Sequence, residues 1–201
     1  MNRLVYLVSP DKIYKKFYDD LEKVCASKKV KYFQLRLKKK PKKIIIEIGK
    51  KIKIITDKYK VKLIINDSVE IARKVGADGC HIGQSDGSIK NAKKYLKDKI
   101  LGATCHNSKE LAKKALKSNV HYIAFGSFYK SKLKPGAKKA DLKIVRWAKK
   151  YTKKPIVVIG GITDKNYKKL LTAGANYIAI SSYIWDNPFL KPEIAIKKFI
   201  K

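Results

Sequence analysis

The sequence predicts a single domain, residues 1–201, folded as a (β/α)8 TIM barrel. Two observations predict it. Eight short apolar runs recur along the chain with helix-like stretches between them, and polar, ion-binding residues gather just after those runs. In a parallel sheet all strand carboxyl ends lie on one face, so residues distant in sequence meet there. A doubly wound open sheet is the alternative, but eight near-equal units fit closure better. A chain of 201 residues, 45% hydrophobic, can bury one full core with short loops and no insertions.

The predicted strands are 4–8, 32–37, 63–65, 80–82, 100–103, 122–125, 156–159 and 177–180. Their continuous apolar character suits strands covered on both faces. Helical spacing predicts helices over 11–26, 42–59, 108–117, 141–151, 164–173 and 192–200, with another starting near Ser68. Ser108 and the pair Thr163-Asp164 supply helix-capping side chains, while Gly76, Asn119 and Gly174 sit where helices should stop. The matching turns Gly76-Ala77-Asp78 and Gly174-Ala175-Asn176 precede the fourth and eighth strands, so they belong to the stability face of a barrel.

The formal charge of +33 invites a nucleic-acid reading. The distribution argues against it. Only four of the basic residues are arginine (Arg3, Arg36, Arg73 and Arg146), and the lysines spread along every predicted helix, as on a solvated surface. No apolar run is long enough to cross a bilayer, and the short first run lacks a cleavage site. Three cysteines without CxxC spacing suggest neither disulfides nor zinc, which places the chain in the cytoplasm. A homo-oligomer is compatible with all of this.

The segment 62–87 organises the chemistry: Asn66-Asp67 follows one strand, and Gly83-Gln84 with Asp86 follows the next. Asp67 and Asp86, nineteen positions apart, fall at neighbouring strand ends. Either could serve a local turn or cap; together, beside an arginine and lysines, they suit Mg²⁺ bridging a diphosphate. Period-two alternation sends Gln34, Arg36 and Lys38 inward and Leu35 and Leu37 outward, which predicts an anion site. Thr104 offers a hydroxyl to a polar ligand atom, and His106 is read as a structural group near a helix start. His81 is read as a satisfied core histidine, and Cys105 lacks a base to make it a nucleophile. The basic loop 126–136 can carry charge onto an anion as a lid. Gly160-Gly161 and Ser181-Ser182, after the seventh and eighth strands, form the place where barrels build phosphate sites from backbone N–H groups.

Taken together, YLVSP, QLRLK, IINDSVEIA, GADGCHIGQSD, GATCHN, YIAFGSF, IVVIGGIT and AGANYIAIS resemble the thiamine phosphate synthase family over essentially the whole chain. The resemblance implies a Mg²⁺-dependent transferase that joins hydroxymethylpyrimidine diphosphate to thiazole phosphate and releases pyrophosphate. It implies that Gln34, Arg36, Lys38, Asn66 and Lys134 hold the diphosphate, with Arg36, Lys38 and Lys134 acting on the leaving group, and that Asp67 and Asp86 hold Mg²⁺. Thr104 would touch the pyrimidine, and Gly161, Ser181 and Ser182 would hold the thiazole phosphate. In the loop, Ser131 stands where the family has a threonine and is a further substrate contact, whereas Leu133 replaces a second threonine. A thiazole tautomerase-like or regulatory homologue shares the barrel and is the alternative.

Overall fold

A computed structural model describes residues 3–83, 89–129 and 139–200. Eight parallel strands close a barrel in sequence order. They are β1 (Val5–Val8), β2 (Val30–Leu35), β3 (Lys62–Asn66), β4 (Gly79–Ile82), β5 (Ile100–His106), β6 (Tyr122–Gly126), β7 (Ile156–Ile159) and β8 (Tyr177–Ile180). The pairing of Val5, Tyr6 and Leu7 with Ile178, Ala179 and Ile180 closes the ring. Around it run α1 (Phe17–Ala26), α2 (Lys42–Lys58), α3 (Val69–Val75), α4 (Ile89–Leu96), α5 (Lys109–Lys117), α6 (Leu142–Tyr151), α7 (Tyr167–Thr172), α8 (Ser182–Trp185) and α9 (Pro192–Ala195). Among the described residues no helix is long and apolar enough to cross a membrane.

Strand alternation separates two cores. Leu7, Phe33, Leu35, Leu63 and Ile65 face outward and pack with the helices. Tyr6, Val8, Tyr32, Ile64, Tyr122, Ala124, Val157 and Ala179 fill the barrel interior. Three of those interior positions are tyrosines, which need hydroxyl partners once buried. Gly102 on β5 makes room for one of them: a Cβ there would lie 1.9 Å from Cζ of Tyr122. Gly102→Ala should therefore push the ring aside and cost about 1–3 kcal/mol, read as a lower urea midpoint at unchanged slope.

At the opposite end from the strand carboxyl termini, one device recurs. The Asp78 carboxylate accepts the Leu63 N–H at 2.9 Å, and Asp78 N–H returns to the Leu63 carbonyl at 2.9 Å. Asn176 and Ile156 repeat the pattern, with 2.9 Å in both directions, and His121 does so with Leu101. Each pins the chain entering a strand to the start of the strand before it. Burial would raise the Asp78 pKa, but Lys62 at 3.0 Å, the Leu63 N–H and Lys53 outweigh it and hold the carboxyl below its usual value. A depressed carboxyl contributes stability above its unfolded value, about 3.9, and loses it as pH falls through the folded value. Urea unfolding between about pH 2 and pH 6 should thus show a steeper acid-side loss for the parent than for Asp78→Asn.

β2 (Val30–Leu35) lies two residues earlier than the expected 32–37, β5 runs on to His106, and three helix boundaries differ from expectation by more than one residue. The first helix starts at Phe17 rather than Asp11. Asp11 is drawn instead to Arg36, and a turn at Tyr14–Phe17 opens the helix. Thr163-Asp164 does not supply a side-chain cap to α7; the Thr163 Oγ1 accepts the Lys165 N–H at 3.3 Å in the turn before it. Asn166 accepts the Thr163 N–H at 2.9 Å, and α7 begins only at Tyr167. The last helix ends at Ala195 and continues as a 3-10 turn, Ile196–Lys198, because the Ile200 backbone leaves to bond the Tyr167 hydroxyl.

Candidate active site

Past the strand carboxyl ends lies a cavity of about 930 Å³, within the range of small-molecule sites. Its floor is the interior layer, including Tyr6, Val8, Tyr122 and Val157, and its rim is polar.

On one side of the rim, Gln34 is buried at the end of β2, and Arg36 and Lys38 follow it into the mouth. Leu35 and Leu37 turn the other way into the outer core, as the alternation requires. Arg36 is fixed from both ends. Its N–H donates to Ser9 Oγ at 2.9 Å, and its guanidinium pairs with Asp11 at 3.3 Å. The Arg36 side chain is 19% exposed, so its charge is partly desolvated, as suits anion capture.

Asn66 ends β3, and Asp67 takes a left-handed φ of 64°, a region that aspartate adopts more readily than most residues. Asp67 N–H holds that turn by donating to the His81 carbonyl at 2.8 Å. The cap of α3 is Ser68 Oγ, accepting from Ile71 N–H at 3.2 Å, so capping does not consume the Asp67 carboxylate. That carboxylate instead meets Lys38 at 3.3 Å, and it is the one carboxylate lining the cavity among the described residues.

Across the mouth, Gly160 and Gly161 have φ of 112° and 58°, conformations that glycine adopts without strain. Gly160 also lets Ser127 approach, since a Cβ there would lie 2.0 Å from Ser127 Oγ. The Gly-Gly turn does not lead straight into a helix as expected; residues 162–166 intervene before α7. Ser181 and Ser182 do open a helix, α8, and line the cavity where its first-turn N–H groups begin. Ser181 Oγ is anchored on the Ser9 carbonyl at 3.0 Å, so Ser9 ties the end of β8 to the Arg36 side.

Thr104 stands at the wall, its Oγ1 2.8 Å from His81 Nε2. His81 is buried, with Nδ1 2.9 Å from the Tyr122 hydroxyl, which agrees with a satisfied core histidine. His106 is exposed at the rim, and Ser108, not His106, caps α5. Burial pushes the Cys105 thiol up to about 12, which removes it as a nucleophile at neutral pH.

The structure thus brings Gln34, Arg36, Lys38, Asn66, Asp67, Thr104, Gly161, Ser181 and Ser182 to one cavity. Asp86, Ser131 and Lys134, with most of the basic loop, lie outside the described residues. Sequence reasoning missed Ser9, Asp11, Tyr6 and Tyr122. Period-two alternation applied to the first and sixth strands, as it was to the second, points Tyr6 and Tyr122 inward.

The model for "Thiamine monophosphate synthase" matches residues 5–184. The chain belongs to that family. It is 53% identical over 197 residues to thiamine-phosphate synthase of Pelagibacter ubique, covering 98% of this chain and 95% of the relative. It is 35% identical to the enzyme of the same name from Hyphomonas neptunium, covering 97% and 91%. Among solved structures, thiamine phosphate pyrophosphorylase from Pyrococcus furiosus superposes with a TM-score of 0.87 at 27% identity, covering 98% of this chain and 94% of that one. As a member of the thiamine monophosphate synthase family, the chain is an enzyme of the transferase class. The tautomerase-like or regulatory alternative is not favoured by these relatives.

Proposed function

We propose that the cavity joins a hydroxymethylpyrimidine diphosphate to a thiazole phosphate, giving thiamine phosphate and pyrophosphate with the help of Mg²⁺. One observation carries the assignment of roles. Arg36, Lys38 and Asp67 crowd one side of the mouth, while the Gly160-Gly161 turn and Ser181-Ser182 line the rim after β7 and β8. Two separate anion-binding ends suit a substrate pair with a phosphate group on each member.

In this reading the bond between the pyrimidine methylene and the diphosphate oxygen breaks first, its electron pair leaving with pyrophosphate. Arg36 and Lys38, with Lys134 from the loop, stabilise the charge that gathers on the departing oxygens. Thr104 holds the pyrimidine, and Gln34 and Asn66 hold diphosphate oxygens. The apolar floor of Val8, Val157 and Ala179 keeps water from the cationic carbon. The thiazole nitrogen then supplies its lone pair to that carbon, with its phosphate held by Gly161, Ser181 and Ser182. No protein nucleophile is needed, in keeping with the inert Cys105.

The donor set fits the metal. A cavity carboxylate on Asp67, spared from capping and beside a cationic group, suits a hard ion that takes few protein ligands and completes its shell with substrate oxygens and water. Asp67 and Asp86 would hold it, and bound there it would neutralise diphosphate charge. The test is direct: both phosphorylated halves are incubated with the protein, with and without Mg²⁺, and thiamine phosphate is sought by chromatography. Product only with all components present is expected, and none under any condition overturns the reading.

A further inference from the structure

Among the described residues, Arg36, Lys38 and Lys139 are the lysines and arginines that line the cavity, and the chemistry above uses only the first two. Arg36 and Lys38 follow β2, and each meets a carboxylate, Asp11 for one and Asp67 for the other. Lys139 follows β6, which stands diametrically opposite β2 in the ring. Among the described residues no carboxylate pairs with it. Its charge faces the mouth uncompensated.

The residues that follow Lys139 set its place. Ala140 is buried, and its N–H donates to the Ser127 carbonyl at 2.7 Å. Asp141 N–H donates to Asn107 Oδ1 at 3.2 Å, while the Asp141 carboxylate accepts the Lys143 N–H at 2.7 Å and caps α6. The stretch 139–141 is thus pinned across the ends of β5 and β6, with Lys139 on the cavity side. Ser127 is in turn stitched to the neighbouring strand end. Phe128 N–H donates to the Ile159 carbonyl and Tyr129 N–H to the Gly160 carbonyl, both at 3.1 Å, and Gly160 has no Cβ to hold Ser127 off. The Lys139-Ala140 peptide is therefore one hydrogen bond from a residue that packs on the Gly160-Gly161 turn.

That turn, with Ser181 and Ser182, offers an anion only neutral donors, hydroxyls and backbone N–H groups. A phosphate monoester carries between one and two negative charges at neutral pH. We propose that Lys139 is a substrate-binding residue whose ammonium meets the phosphate of the thiazole, so that this end of the cavity prefers a phosphorylated thiazole over a neutral one. The inference rests on the reading of the Gly160-Gly161 side as the thiazole phosphate end. An ammonium on a flexible stem suits the task, because it acts as a point charge and needs no fixed fork geometry. Cations on opposite strands then draw each anionic substrate to its own end.

Steady-state kinetics of the full-length protein, with each substrate varied in turn, test this. Lys139→Gln removes the charge and keeps a polar chain. It should raise KM for the thiazole phosphate about tenfold, the scale of one hydrogen bond to a charged group, and leave KM for the pyrimidine diphosphate within about twofold of the parent. Lys139→Arg should recover most of the loss. Lys143→Gln, at an exposed α6 position outside the cavity lining, removes the same unit of charge and should match the parent within about twofold. That variant separates a contact from the general attraction of an anion to a chain of net charge +33. An unchanged thiazole phosphate KM in Lys139→Gln, a rise in the pyrimidine diphosphate KM instead, or an equal rise in Lys143→Gln overturns the proposal and leaves the activity standing. Absence of thiamine phosphate formation by the parent chain overturns the activity and the proposal with it.

Discussion

Asp67→Asn lowers pyrophosphate release by at least about a hundredfold, the scale of losing one group that faces transition-state charge, and leaves the melting temperature within a degree or two. The expectation of an intact fold comes from the backbone. Asparagine adopts a left-handed φ as readily as aspartate, and the turn is held by the Asp67 N–H bond to the His81 carbonyl, which the substitution keeps. The expectation of lost activity comes from the carboxylate, which lines the cavity beside Lys38 while Ser68 caps the helix. Chelation of divalent ions should reproduce the loss in the parent and add little in the variant. A continuous pyrophosphate assay with a thermal melt of each protein checks both halves. Turnover within about threefold of the parent would mean that the Asp67 charge is not used.

Arg36→Gln is expected to lower kcat/KM about a hundredfold, and Arg36→Lys to recover only part of it. The guanidinium fork grips two oxygens at once, whereas an ammonium offers a point charge. The competing explanation is that Arg36 only anchors Asp11. Asp11 is more than half exposed, so the pair contributes little stability, and Asp11→Asn separates the two. Activity near the parent level in Asp11→Asn with a large loss in Arg36→Gln assigns Arg36 to the diphosphate. Equal losses in both would assign it to holding the loop after β1.

The barrel was legible because each strand is a short apolar run and helical stretches separate most of them, and all eight strands overlap the runs. The rim was legible where alternation and position after a strand agree, as at Gln34, Arg36 and Lys38. Less legible were features settled by contacts between distant segments. Asp11 reads as a helix start until Arg36, 25 residues on, draws it away. Thr163 and Asp164 look like caps, yet the Gly160-Gly161 turn needs Asn166 to hold it through the Gly161 carbonyl at 3.0 Å. The interior tyrosines were written in the alternation of their strands. Their partnership with His81 was not, because it depends on which strands face each other across a closed ring.

The central claim is that one rim of this barrel breaks a carbon–oxygen bond to a diphosphate and captures the carbon with a thiazole nitrogen. Phosphorus NMR of both substrates with the parent protein and Mg²⁺ tests it most directly. The paired diphosphate signals should give way to free pyrophosphate as thiamine phosphate grows in step, and neither change should occur at a comparable rate with Asp67→Asn or Arg36→Gln. Unchanged diphosphate signals in the presence of the parent protein would contradict it.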